Sequence, residues 1–142
     1  MGIAEKWRGF RPLPSRLGDK LDLLATIFEE ADVVLAYAFG SFLDREASAD
    51  IDLAVLPGNK ELGDLREKIC EILSTQRLDL VNLKTASPLL RFEVLRTGSL
   101  IFKKNESVEN GFELSVIREY RDTAHLRKVQ AGILKDRKKR WF

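Results

Sequence analysis

An α/β sandwich, a small mixed sheet covered by helices, is the architecture this chain predicts. Three observations carry that prediction. Short apolar runs alternate with longer stretches of helical periodicity, in the order α-β-(α)-β-α-β-α-β-α. The runs Val33–Phe39 and Ile51–Leu56 are apolar on both faces, as in strands covered on both sides. Turn and cap signals (Gly40-Ser41, Pro57-Gly58, Ser87-Pro88, Thr97-Gly98) separate the runs at the lengths such elements need.

Taken in order, residues 1–14 form an irregular leader with Trp7, Phe10, Pro12 and Pro14, and residues 15–142 form a single domain. Ser15 caps a helix over 16–31, with Leu17, Leu21, Leu24 and Phe28 on one face, and Asp32 closes it. Val33–Phe39 is too short for a stand-alone helix and reads as the first strand. A connection with a short helix through Arg45 leads to the second strand, Ile51–Leu56, stopped by Pro57-Gly58. Residues 60–74 read as a helix with Leu62, Leu65, Ile69, Ile72 and Leu73 inward, and Arg77–Leu83 as a third strand. Ser87-Pro88 opens a helix that runs through Leu89–Leu95 to a stop at Thr97-Gly98. Leu100–Lys103 is a short fourth strand. Ser107 to Lys139 is mostly helical, a long C-terminal helix ending in the basic tail Lys135–Arg140. Its apolar positions are Phe112, Val116, Ile117, Tyr120, Val129 and Ile133, of which the stripe Phe112, Val116, Tyr120 and Val129 is expected to pack on the domain's own core, with docking onto a partner helix as the alternative.

Bulk properties narrow the function. With 142 residues the chain buries about two-thirds of its unfolded surface. A net charge of +2 gives the whole molecule no strong attraction to nucleic acid, so RNA or DNA is not the expected direct ligand. The lone Cys70 cannot form an internal disulfide and reads as a small buried apolar group. No apolar stretch reaches the length of a membrane span, and residues 1–15 lack a signal peptide's apolar core, so a cytoplasmic location is expected.

The chemistry concentrates in residues 33–56. An apolar run ends in Gly40-Ser41, eight residues follow, and a second apolar run opens with Asp50-Ile51-Asp52. Carboxylates at i and i+2 of a strand point to one face roughly 6–7 Å apart. They repel unless something neutralises them, and oxygen-preferring Mg²⁺ suits that role. Asp79 places a third carboxylate inside the apolar strand Arg77–Leu83. Three such groups can hold two divalent ions about 3.5–4 Å apart, the arrangement that clamps an in-line nucleotidyl displacement. The Gly-Ser turn offers N–H groups and a hydroxyl to phosphate oxygens. The plain structural alternative has Asp50 capping a strand end, Asp52 paired with a basic residue and Asp79 bridging. Charged side chains in three-strand apolar context weigh against it, because unpaired charge at a sheet centre costs several kcal/mol. Arg45 and Lys84 are candidate phosphate contacts, with a solvated surface role the more ordinary use of each. His125, the single histidine, reads as a surface or partner-facing residue, and Tyr37 and Tyr120 as core or interface aromatics.

Gly40-Ser41, the intervening loop, Asp50-Ile51-Asp52 and then Asp79 resemble the signature of the DNA polymerase beta nucleotidyltransferase superfamily. Size, the strand before Gly40 and the segment Ser87–Gly98 look like the minimal nucleotidyltransferase (MntA-type) antitoxins, which pair with a HEPN-domain RNase toxin. The resemblance covers roughly residues 15–125 and implies a polymerase beta-like fold. It implies that Asp50, Asp52 and Asp79 are catalytic and hold two Mg²⁺ ions, with Asp79 also helping to deprotonate the acceptor hydroxyl. Gly40 and Ser41 would hold the terminal phosphates of ATP. The implied reaction is transfer of AMP from ATP to a tyrosine of the toxin. The loop here is two residues shorter than the family's usual ten. Two other readings remain: an antitoxin that works by binding alone through its C-terminal helix, and a small-molecule nucleotidyltransferase of the aminoglycoside type. The latter lacks support from any second acidic cluster for a cationic drug.

Overall fold

The computed structural model describes residues 18–39 and 51–141, the last five by their backbone alone. The expected leader and the short helix through Arg45 lie outside the described residues. Helix α1 (Leu21–Glu30) leads into β1 (Val33–Phe39), and β2 (Ile51–Pro57) follows. Then come α2 (Leu65–Leu73), β3 (Leu78–Asn82), α3 (Pro88–Thr97), β4 (Ser99–Lys103), α4 (Glu106–Asp122) and α5 (Ala124–Trp141).

The four strands make one mixed sheet in the order β3-β2-β1-β4. β1 pairs antiparallel with β2 and β4, while β2 and β3 run parallel, joined through α2. The sheet's two faces divide the apolar side chains by the period-2 rule. Ala36, Ala38, Ile51, Leu53 and Val55 face Leu24 and Phe28 of α1 and Leu65 and Ile69 of α2. Leu35, Tyr37 and Ala54 face the opposite layer, with Val94 of α3 and Phe112 of α4. Both faces of the two central strands are therefore covered, which is why their sequences read as continuous apolar runs.

Local chemistry explains the element ends. Asp32 closes α1 in the left-handed region at φ 57°. Its carboxylate accepts from Asn59 N–H at 2.7 Å and its carbonyl from Gly58 N–H at 2.8 Å, tying the start of β1 to the end of β2. The Asn59 N–H holds the Asp32 carboxyl below the usual carboxylate range. Ser87 caps α3 as expected, accepting from Leu90 N–H at 3.1 Å with Pro88 in the first turn.

Three elements differ from expectation. α1 starts at Leu21, after turn residues Asp19 and Lys20, rather than at 16. α2 starts at Leu65 rather than 60, because Gly63 takes a left-handed conformation at φ 54° that breaks the helix geometry before it. Leu62 still packs against the core from that turn. The C-terminal helix is two helices, parted at Thr123. Its Oγ1 shares a proton between the carbonyls of Glu119 (3.0 Å) and Tyr120 (3.2 Å), a back-bonding that competes with continuation of the helix. The expected packing of the whole C-terminal stripe also needs correction. Val116 is buried and Phe112 packs on the core, but Val129 and Ile133 are exposed because α5 leaves the sheet after the break, and Ile117, one position round α4 from Val116, is exposed as well. Cys70 is buried as expected. Among the described residues no helix is long and apolar enough to cross a membrane.

Candidate active site

Two of the three predicted acids meet at one end of the sheet. Asp52 and Asp79 are each the second residue of their strand, and the parallel ladder sets them directly opposite one another. Phe39, the last residue of β1, stands opposite Asp52 on the other side. Phe39, Asp52 and Asp79 thus form a row across three strands on the face that carries Tyr37 and Ala54. Neighbouring strands lie about 4.8 Å apart, so the two carboxylates are within reach of a common cation. Asp52 is half-buried on a central strand, whereas Asp79 is exposed on the edge strand. One acid is held in the sheet and the other is open to an incoming molecule.

Several contacts fix this end of the sheet. Ile51 N–H donates to Arg77 carbonyl at 2.9 Å, starting the β2–β3 ladder one residue before the acids. Arg66 of α2 donates to the carbonyls of Gln76 (3.2 Å) and Leu78 (3.1 Å), pinning the start of β3. Gly98 brings the end of α3 against the end of β1. A Cβ there would lie 2.5 Å from Val94 carbonyl oxygen, 3.0 Å from that of Ala38 and 3.3 Å from Phe39 Cβ. Nothing in the sequence marks Arg66 or Phe39 as supports of the site. Gly98 is visible as a helix stop, though its backbone is extended, and close approach is what requires glycine there.

A buried polar cluster lies behind the row on the same face. Tyr37 OH donates to Glu113 Oε1 at 3.3 Å, and Lys103 Nζ lies 3.1 Å from Oε1 of the buried Glu109. Burial pushes the Tyr37 phenol well above its ordinary range, so it stays a donor. Burial, reinforced by the Glu109 charge, raises the Glu113 carboxyl.

Gly40, Ser41, Asp50 and Arg45 lie outside the described residues. Lys84 is exposed beyond β3, lining with Asn59, Lys60 and Asn82 a hollow of about 390 Å³ at the opposite end of β2 and β3 from the acids. The structure therefore does not bring Lys84 to the carboxylate pair. His125 is exposed on α5, away from the sheet. Among the described residues no group of three His, Cys, Asp or Glu is placed to hold a metal ion. The Asp52–Asp79 pair supplies two facing anionic oxygen donors, which fits a hard divalent cation such as Mg²⁺.

Residues 22–107 match the family model described as polymerase beta, nucleotidyltransferase, a span that contains both acids and the loop between β1 and β2. The chain belongs to that nucleotidyltransferase family. Its fold is similar to a toxin–antitoxin structure with AMP-PNP, at 25% identity and a TM-score of 0.65, covering 82% of this chain and 96% of that one. It is also similar to a complex of tri-AMPylated Shewanella oneidensis HEPN toxin with MNT antitoxin, at 24% identity and a TM-score of 0.64, covering 84% and 96%. A crystal structure of toxin–antitoxin MntA-HepT matches at 23% identity and a TM-score of 0.63, covering 84% and 97%. No curated protein matches the chain. The expected likeness to MntA-type minimal nucleotidyltransferases is thus met at the level of fold and family.

Proposed function

We propose that this chain is a cytoplasmic antitoxin that transfers AMP from ATP to a tyrosine of a HEPN-domain RNase toxin and so silences it. The observation that carries the reading is the register of Asp52 against Asp79 on one sheet face, in a chain of the nucleotidyltransferase family. The similar structures that hold AMP-PNP and an AMPylated HEPN toxin support the nucleotide and the acceptor.

In this reading Asp50, Asp52 and Asp79 hold two Mg²⁺ ions, and Gly40 and Ser41 receive the terminal phosphates. The ions, when bound, neutralise the triphosphate and the charge that develops on the leaving oxygen. Asp79, open to solvent on the edge strand, accepts the proton of the acceptor tyrosine. The phenolic oxygen forms a bond to the α-phosphorus, the bond from that phosphorus to the bridging oxygen breaks, and pyrophosphate leaves. Asp52 and Phe39, on central strands, give the reacting end of ATP a rigid floor.

The test is intact mass of the HEPN partner after incubation with the chain, ATP and Mg²⁺. One or more AMP additions are expected, lost by about a thousandfold in rate for Asp52→Asn. Parent-rate transfer by Asp52→Asn removes the site assignment. The exposed helix α5 favours one second reading, neutralisation by binding alone. Protection from the toxin by the Asp50→Asn, Asp52→Asn double variant would establish it in place of catalysis.

A further inference from the structure

Among the described residues, helix α5 leaves the body as an arm that touches it only at its base. Of its residues 124–136 none is buried, and every residue from Lys128 to Asp136 is exposed. Leu126, Val129 and Ile133 recur at i, i+3 and i+7, the spacing of a helix seam, and are 55%, 43% and 50% exposed. A helix of this length without packing is marginal in water, so its apolar seam is a face awaiting cover.

The joint at its base is nevertheless ordered. Arg127 stacks its guanidinium over the Tyr120 ring at 3.8 Å, and the opposite side of that ring stacks on Phe92 at 3.7 Å. The same arginine donates to Tyr120 carbonyl at 2.9 Å and to Thr123 Oγ1. These contacts set the direction in which the arm leaves the body, which lowers the ordering cost of docking.

Charge narrows the occupant to one with an acidic face. Of the 24 Lys and Arg and 22 Asp and Glu of the chain, seven cations and one anion fall in residues 124–142. That segment carries +6, and residues 1–123 carry −4. Two arms packed seam to seam would bring two strongly positive helices together. The outward apolar residues of α4 that a second copy could offer instead, Leu114 and Ile117, are accompanied by Arg118 and Arg121 on the same helix. A second copy also carries an acidic body, where the exposed Leu23 of α1 has Asp19, Asp22, Glu29 and Glu30 on or beside the same helix, so self-association is the competing occupant, to be separated by the oligomeric state of the chain alone. We propose that the α5 seam is the docking surface for a different protein, which presents an apolar helix face rimmed by carboxylates. This inference rests on the proposed antitoxin reading, whose acceptor is a HEPN-domain protein, and assigns the place where that acceptor is gripped.

The test uses the full chain co-expressed with its HEPN-domain protein, with affinity measured on the purified pair at two salt concentrations. Val129→Asp with Ile133→Asp is expected to weaken the complex on the order of a hundredfold. AMP-PNP binding and circular dichroism of the variant are expected to match the parent. Asp52→Asn is expected to keep parent affinity for the partner. Raised salt is expected to weaken the parent complex, as a basic arm on an acidic rim requires. Parent affinity for the seam variant overturns the proposal even if AMP transfer is found. So does a parent chain that is dimeric alone and monomeric as the seam variant, since a second copy would then be the occupant. Binding of RNA or of anionic vesicles that the seam variant abolishes, with the HEPN complex intact, also overturns it. Absence of any complex with the parent chain counts against the antitoxin reading itself.

Discussion

Asp52 and Asp79 stand opposite each other across neighbouring strands, so a cation bound between them gains from both carboxylates. Ligand-linked stability follows from this. Mg²⁺ at a hundred times its dissociation constant is expected to stabilise the parent by about 2.7 kcal/mol, read as a rise in Tm. In Asp79→Asn the rise is expected to disappear, and an equal Mg²⁺ response in both proteins would place the cation elsewhere. Glu113 gives a second prediction at this scale. Burial raises its folded-state pKa above the unfolded value of 4.5, so stability is complete below that pH and declines as pH rises toward the folded pKa. Glu113→Gln keeps an acceptor for Tyr37 and has no charge to bury. It is expected to be more stable than the parent at pH 7–8 and equal to it near pH 4, which thermal melts across that range would check. Asp52 and Asp79 stand out in the sequence because carboxylates interrupt apolar runs there, although Asp79 lies exposed on an edge strand and not at the sheet centre. The cluster of Glu109 and Glu113 with Lys103 of β4 was not legible, because glutamates on a helix look alike in sequence whether they face water or the sheet. Nor could sequence set Asp52 against Asp79. That requires the parallel register, fixed by the ladder contact of Ile51 with Arg77 and by the reach of Arg66.

Among the elements, α3 shows how sequence and tertiary contact share the work. Ser87 and Pro88 start it by local chemistry alone, and both ends of this helix agree with the expectation from sequence. Its end at Gly98 has a second purpose, since the backbone there touches the carbonyl of Ala38 and the Cβ of Phe39. Gly98→Ala would drive a methyl group to 2.5 Å from Val94 oxygen, which the helix end cannot accommodate without moving. We expect a loss of about 1–3 kcal/mol, seen as a lower Tm, together with slower AMP transfer because Phe39 beside Asp52 is displaced. A variant with parent Tm and parent rate would show that the contact relaxes freely. The late start of α2 and the break between α4 and α5 escaped the sequence for a common reason. Apolar periodicity continues through Leu62 and across Thr123, so the pattern reports a face without reporting whether one helix carries it. The interruptions come from a positive φ at Gly63 and a side-chain hydroxyl bonding backward at Thr123.

For the molecule as a whole, the division is between a body that supplies its own core and an arm that does not. Among the described residues the two apolar layers are built without α5, and no side chain of α5 up to Asp136 is buried. Removing residues 124–142 should therefore cost the body little. The main loss is Arg127 from the face of Tyr120, an interaction worth about 0.5–1 kcal/mol at such a site. A fall in Tm of about 4 °C or less is expected. The truncation also turns the chain from +2 to −4, so the body alone should repel an acidic partner that the arm attracts. Loss of partner binding with the melt preserved would separate recognition from folding in this molecule. A large fall in Tm would instead mean that α5 packs on the body, and the seam would then belong to the chain's own core.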